Sequence, residues 1–239
     1  MTKLDILVIA AHPDDAELSC SGTIMTHIAQ GKTVGIVDLT QGELGTRGTP
    51  EIRAQEAAAA SEIMGISVRE NLKFRDGFFD NDEAHQRQLI KVIRKYKPEI
   101  VLGNAIYDRH PDHGKAADLI RQSCFLSGLR MIETFDGEEQ QKAWRPKALY
   151  HFIQSQYIEP DFVVDVSDVW ERKIEAIRAF QSQFFNPGSK EPETYISRPQ
   201  FLQMIEGRGV EYGNAIGVAY GEGFTKNRMI GLSSLFDLH

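Results

Sequence analysis

The feature that most constrains the fold of this 239-residue chain is an apolar run that ends abruptly in chemistry. Leu4-Asp5-Ile6-Leu7-Val8-Ile9-Ala10-Ala11 is followed at once by His12-Pro13-Asp14-Asp15. The run is too short for a membrane span and rich in β-branched residues, the pattern of a strand buried on both faces of a parallel sheet. In an open α/β sheet, ligands bind in the crevice beyond the carboxyl ends of the strands, so His12, Asp14 and Asp15 fall where a site is expected. Pro13 cannot continue the ladder and pushes His12 toward extended geometry. The strand therefore stops there, and the two carboxylates sit on a tight turn entering a helix.

A second cluster lies about a hundred residues on. Pro98-Glu99-Ile100-Val101-Leu102-Gly103-Asn104 reads as another buried strand, and Tyr107-Asp108-Arg109-His110-Pro111-Asp112-His113-Gly114 follows it. Both clusters belong to the same edge of the sheet. An imidazole and a carboxylate from the first loop, with an imidazole from the second, make a three-ligand set that leaves zinc an open position for water. The bland alternative is a pair of capped turns. Convergence of His12, Asp14, Asp15, His110 and His113 at one edge, all ligand types that zinc accepts, favours the metal.

The two tetrads His12-Pro13-Asp14-Asp15 and His110-Pro111-Asp112-His113 resemble those of the LmbE-like (PIG-L) family of zinc-dependent N-acetylglucosamine deacetylases. Thr40-Gln41-Gly42-Glu43-Leu44-Gly45-Thr46-Arg47-Gly48, with Arg53 and Glu56, resembles the family's loop after the second strand, so the likeness covers at least residues 1 to 130. The resemblance implies one catalytic zinc per chain on His12, Asp15 and His113, with Fe²⁺ also compatible with two histidines and an aspartate. It implies Asp14 as the proton-transferring carboxylate, a protonated His110 facing the substrate carbonyl, and Asp112 orienting His110 or capping the helix. Arg53, otherwise an ordinary partner for Glu56 within a helix, becomes a candidate clamp for substrate oxygens.

Composition bounds the partners. A net charge of -7 and an absence of Lys or Arg runs argue against nucleic acid and against a polybasic membrane contact. A small sugar conjugate fits better. Cys20 and Cys124 read as buried thiols, and neither a secretory signal nor a segment of about 20 apolar residues is seen, so a cytoplasmic protein is expected. A homo-oligomer is compatible with the sequence.

Alternating strand and helix signals predict one Rossmann-like, doubly wound, mostly parallel α/β domain over residues 1–239. Helices are expected at 16–30, 50–64, 83–96, 113–129, 169–184 and 198–208. Strands are expected at 33–39, 71–74, 148–153 and 162–166, a surface loop at 133–145, and a glycine-rich, strand-like stretch at 213–224. The glycine loop at 42–48 has neither the Walker nor the dinucleotide pattern, so it reads as a substrate rim carrying Glu43 and Arg47. The acidic turn 76–82 fails the calcium-loop spacing and reads as solvated. His27 and His151 read as structural.

The segment 39–49, with Arg109 before His110, is similar to the bacillithiol-pathway branch of the family, which implies N-acetylglucosaminyl malate as substrate. That aglycone carries two carboxylates, and Arg47, Arg53 and Arg109 are the cations placed to meet them. The alternative is that they pair with Glu43, Glu56 and Asp108 on the protein. Rival readings are a deacetylase or amidase of another N-acetylglucosaminyl conjugate, a Rossmann-like nucleotide-binding regulator, which lacks its glycine fingerprint, and a two-metal phosphoesterase, which needs more bridging carboxylates.

Overall fold

Alternation along the first strand decides the layers. In β1 (Ile6–Ala10), Ile6, Val8 and Ala10 join one apolar cluster, whereas Leu7 and Ile9 join another on the opposite face. The computed structural model describes residues 3–237, so the outermost residues of the domain expected over 1–239 lie outside it. The order along the chain is β1, α1 (Asp15–Ala29), β2 (Val34–Thr40), α2 (Pro50–Met64), β3 (Val68–Phe74), α3 (Glu83–Tyr96), β4 (Ile100–Gly103) and α4 (Pro111–Leu126). There follow β5 (Phe135–Asp136), β6 (Glu139–Gln140), β7 (Ala148–Phe152), β8 (Phe162–Asp165), α5 (Trp170–Arg178), α6 (Pro199–Ile216) and β9 (Gly221–Lys226).

Seven strands form one sheet in the order β3-β2-β1-β4-β7-β9-β8. The pairs from β3 to β7 are parallel, and β9 runs antiparallel to both β7 and β8. Helices α1, α2, α5 and α6 cover one face and α3 and α4 the other, so the fold is the mostly parallel, doubly wound sheet expected from the sequence. The strand order reverses between β1 and β4, the position where such sheets bind ligands. No helix of the described residues is long and apolar enough to cross a membrane.

Local chemistry fixes the ends that agree with expectation. Thr49 caps α2 by accepting from the Ile52 N–H at 3.3 Å with Pro50 at the first helical position, and Gly65 ends it at φ 74°. Asp82 caps α3 in the same way through the His85 N–H at 3.0 Å. The C-terminal part differs. The stretch 213–224 is not a strand throughout: α6 continues to Ile216 and β9 starts only at Gly221. Gly213, read as part of that strand, instead serves close helix packing, because a Cβ there would come within 2.7 Å of the Ala219–Tyr220 backbone, as one on Gly209 would come within 2.4 Å of the Trp170 ring. Helix α5 ends at Arg178 rather than 184, although Phe180 and Phe184 beyond it are buried as an inner face requires. On α4, Ala116, Leu119, Ile120 and Cys124 are buried whereas Phe125 is exposed. The 133–145 loop contains the β5–β6 hairpin, and β3 starts three residues earlier than expected, at Val68.

One buried charge cluster ties three elements together. Arg69 on β3 bonds both carboxylate oxygens of Asp38 on β2, at 2.8 and 3.0 Å, and also the carboxylate of Glu17 on α1. Glu17 and Asp38 are 0% and 2% exposed, so the guanidinium is their counter-charge. Removing one member of such a set strands the others in a medium that does not solvate them. Arg69→Met is expected to cost about 3–5 kcal/mol of stability in urea denaturation.

Candidate metal centre and active-site cavity

Beyond the ends of β1 and β4 the two loops meet. His12, Asp14, Asp15 and His113 are all at least nine-tenths buried. Nitrogen atoms of His12, His110 and His113 lie within 4.8 Å of one another. The two oxygens of Asp15 reach two of these rings, with Oδ2 3.5 Å from His12 Nδ1 and Oδ1 3.1 Å from His113 Nε2.

Each of those groups is held from behind. His12 Nε2 is 3.1 Å from Asp76 Oδ1 and 3.5 Å from Asp112 Oδ2, and His113 Nδ1 is 2.8 Å from Asp108 Oδ2. Asp15 accepts from the His12 N–H at 3.0 Å, Asn104 Nδ2 at 2.9 Å and Gln154 Nε2 at 2.9 Å. Carboxylates on the outer nitrogens of His12 and His113 fix the ring orientations and aim the inner nitrogens at Asp15, which is how metal-binding histidines are oriented. The donor set of two imidazoles and one carboxylate, with its outer partners in place, fits a zinc ion.

Ionisation follows from this crowding. Burial disfavours a charged His12, but hydrogen bonds donated to Asp112, Asp15 and Asp76 outweigh it and raise the imidazole well above its usual range. Burial likewise opposes the charge on His113, yet Asp15 and Asp108 lift its pKa to about 9. Burial pushes Asp14 up to about 7, against the pull of Arg53, while Asp15, equally buried, is held well below the usual carboxylate range by His113 and His12. His110 behaves otherwise than expected. Burial first, and then charges on His12 and His113, lower its pKa, so it is the imidazole of the three that favours the neutral form.

Asp14 sits at φ 113°, a left-handed conformation that a non-glycine residue adopts only under constraint. It precedes α1 but makes no side-chain capping bond. Instead Arg53 Nη2 donates to Asp14 Oδ2 at 3.1 Å and to the Pro13 carbonyl, and Nη1 donates to the Gly42 carbonyl at 3.3 Å. Gly42 is required there, since a Cβ at that position would overlap the guanidinium. Arg53 is thus engaged with the His12–Asp15 loop rather than with Glu56, whose carboxylate accepts from the Ser182 N–H and hydroxyl at 2.6 and 2.7 Å.

Several other expectations change. The Asp112 carboxylate does not face His110. Its Oδ2 takes the Gly77 N–H at 2.8 Å and its Oδ1 meets Lys115 Nζ at 3.3 Å. The Asp112 backbone N–H, rather than its carboxylate, donates to His110 Nδ1 at 3.3 Å. With Nδ1 accepting, a neutral His110 carries its proton on Nε2. The acidic turn is not wholly solvated, because Asp76 is 5% exposed and lies against His12. Glu43 is exposed, and its Oε1 accepts the Asp76 N–H at 2.8 Å instead of lining the cavity. Arg47 is buried and pairs with Ser189 Oγ at 2.8 Å and Glu191 at 3.5 Å, not with Glu43. Arg109 is exposed, stacks over the Tyr195 ring at 4.4 Å, and makes no ion pair among the described residues. Asp108, Asn104 and Gln154 were missed as site residues. The signal for Asp108 was its position within the second polar run, and for Asn104 its place at the end of β4.

The cavity over this centre has a volume of about 370 Å³. Its polar end holds His12, Asp14, Asp15, His110 and His113, and Arg47, Arg53 and Arg109 line it as well. Leu18, Ile153, Phe201, Met204 and Ile205 form an apolar wall, and Trp170, Lys173 and Glu222 complete the lining toward α5 and β9.

Comparison with known proteins places these features in a group. The family described as PIG-L, GlcNAc-PI de-N-acetylase, matches residues 7–124. The chain is 30% identical over 190 residues to the diacetylchitobiose deacetylase of Thermococcus kodakarensis, covering 75% of this chain and 70% of that one. A 4-oxalmesaconate hydratase of Pseudomonas putida is 27% identical over 91% of this chain and 86% of its own. A probable N-acetyl-alpha-D-glucosaminyl L-malate deacetylase 2 of Bacillus anthracis is 25% identical over 75% of this chain and 81% of its own. Among solved structures, the conserved protein TT1542 of Thermus thermophilus superposes with a TM-score of 0.85 at 33% identity over 97% of this chain and 98% of that one.

The outer partner of His113 gives a direct test of the centre. Asp108→Asn keeps the shape but loses the negative charge on Nδ1. Zinc affinity measured by chelator competition is expected to fall about 10- to 100-fold, with the melting temperature of the metal-free protein little changed.

Proposed function

The chain belongs to the PIG-L family, and from that premise we propose that it is a zinc-dependent hydrolase that removes the acetyl group from an N-acetylglucosaminide. The observation that carries this reading is the paired support of the centre: Asp15 faces one nitrogen of His12 and one of His113, while carboxylates of Asp76, Asp112 and Asp108 take the opposite nitrogens. Held by His12, Asp15 and His113, zinc would supply Lewis-acid polarisation and an acidified water.

The remaining work falls to residues of the chain. Asp14 takes a proton from the water that adds to the amide carbon and returns it to the nitrogen when the C–N bond breaks, leaving acetate and a free amine. Arg53 fixes one carboxylate oxygen of Asp14, through Oδ2 at 3.1 Å, and leaves the other for the proton. The Nε2–H of a neutral His110 donates to the acyl oxygen as negative charge grows on it. Positive charge on His110 is not required for that role, which revises the expectation from sequence.

Asp14→Asn is expected to retain zinc and lose about 10²–10⁴ in turnover. The pH dependence follows with its sign. Asp14 works ionised, so kcat/KM rises as pH climbs through its pKa, at or below the value of about 7 found without a metal ion, because a nearby dication lowers it. A neutral His110 adds no falling limb above pH 7. An ascending limb that persists in Asp14→Asn would reject the base assignment.

For the substrate, we favour N-acetylglucosaminyl malate. Arg47 and Arg53 have protein partners, whereas Arg109 stands at the cavity without an acidic one among the described residues. A dianionic aglycone therefore has Arg109 as its first cation. Acetate release from the malate conjugate, its inositol analogue and free N-acetylglucosamine, with and without chelator, tests the reading. The malate conjugate is expected to have the highest kcat/KM, and Arg109→Ala to narrow its lead. Equal values for malate and inositol compounds would remove the malate assignment, and release unaffected by chelator would remove the zinc.

A further inference from the structure

Helix α1 is broken just behind the centre. Cys20 has φ -144° and ψ 15°, outside helical values, so the segment carrying Asp15, Leu18 and Ser19 points independently of the segment from Gly22 onward. In an unbroken helix the Gly22 N–H would bond the Leu18 carbonyl. Here each of those groups is held by one member of a buried ion pair. The N–H groups of Gly22 and Thr23 donate to Glu222 Oε1 and Oε2 at 2.9 and 2.7 Å. Lys173 Nζ donates to the Leu18 carbonyl at 2.9 Å and to Glu222 Oε1 at 2.6 Å. The pair is thus spliced into the helical ladder, Lys173 from α5 and Glu222 from β9.

Room for the splice is specifically provided. A Cβ on Gly22 would lie 2.9 Å from Glu222 Oε1 and 2.8 Å from Val166 Cβ, so only glycine admits the carboxylate. The side chains of Lys173 and Glu222 are 2% and 3% exposed. Stability does not account for such a pair, since apolar residues of similar volume in place of a buried ion pair are often neutral or stabilising. A kink fixed by inserted side chains is a way to aim part of a helix. The aimed part is the turn bearing Asp15, with Asp14 immediately before it.

We propose that Lys173 and Glu222 are positioning residues that hold the bend in α1 and thereby set the Asp14–Asp15 turn for metal binding and proton transfer. This inference rests on the reading of His12, Asp15 and His113 as zinc ligands. The double variant Lys173→Met/Glu222→Met removes both charges and frees the Gly22 N–H and Leu18 carbonyl to bond each other. It is expected to melt within a few degrees of the wild type. Its zinc affinity by chelator competition should be weaker by about 10-fold or more, and its kcat should fall by a similar factor. A crystal structure of the metal-free double variant should show Cys20 at helical dihedrals. Glu222→Gln is nearly isosteric and sets one N–H of its amide against a backbone donor, so it should fold and weaken zinc binding several-fold, in the same direction. Zinc affinity and kcat within twofold of wild type in either folded variant would overturn the proposal. A wild type that binds no zinc and releases no acetate would instead refute the functional reading, while the dihedrals of Cys20 in the double variant would still report whether the pair bends α1.

Discussion

The side-by-side parallel pairing of β1 with β4 is the constraint on which the site depends. Ile6 to Ile9 run in register with Ile100 to Gly103, so two loops about ninety residues apart in sequence leave the sheet as neighbours. At that point the strands stop bonding each other and Asn104 takes over. Its Oδ1 accepts the Ala11 N–H at 2.8 Å, and its Nδ2 donates to Asp15 at 2.9 Å and to Gln154 Oε1 at 3.0 Å. One amide therefore converts the end of a sheet ladder into the floor of a polar site. Gln154, just past β7, extends the same arrangement to the third strand.

The geometry of Asp14 depends in turn on loops that only the tertiary fold brings close. A left-handed aspartate is tolerated where the surroundings over-determine it. Arg53 supplies that determination, since one guanidinium grips the Pro13 carbonyl, the Asp14 carboxylate and the Gly42 carbonyl together. The glycine loop after β2 thus braces the His12–Asp15 loop through Arg53. Its resemblance to a phosphate-binding loop is superficial, because the guanidinium lies where a Cβ at Gly42 would project.

Much of this was legible before any coordinates. The buried strand, the stop at Pro13 and the helix starts at 50 and 83 are local statements, and local statements survive folding when packing agrees with them. The two tetrads were legible for a related reason, as each joins a strand signal to an adjacent polar run. Their supporting shell was not. Asp76 reads as one more acid in a turn rich in acids, and only the approach of β3's following loop to His12 gives it a role. Asp112 illustrates the opposite error. Sequence adjacency suggested His110 as its partner, but the first turn of α4 sends the carboxylate toward Gly77 and His12, leaving only its N–H for His110. In the last fifty residues glycine had two meanings, strand flexibility and close helix packing, and periodicity alone does not separate them.

Charge balance links the supporting shell to the choice of ligand. Asp14, Asp15, Asp76, Asp108 and Asp112 place five carboxylates around three imidazoles, against two fixed cations in contact with them, Arg53 on Asp14 and Lys115 on Asp112. Three negative charges remain, largely out of water, and such an excess must be met by bound protons or by a cation. In the metal-free protein the raised pKa values of His12, His113 and Asp14 are that response, drawing protons onto the cluster. A divalent ion, if held by neutral His12 and His113, would supply compensating positive charge of the same kind. Folding the shell therefore does not commit the centre to an uncompensated charge in either state. The carboxylates gathered about His12 and His113 thus offer the counter-charge that a divalent cation would need there.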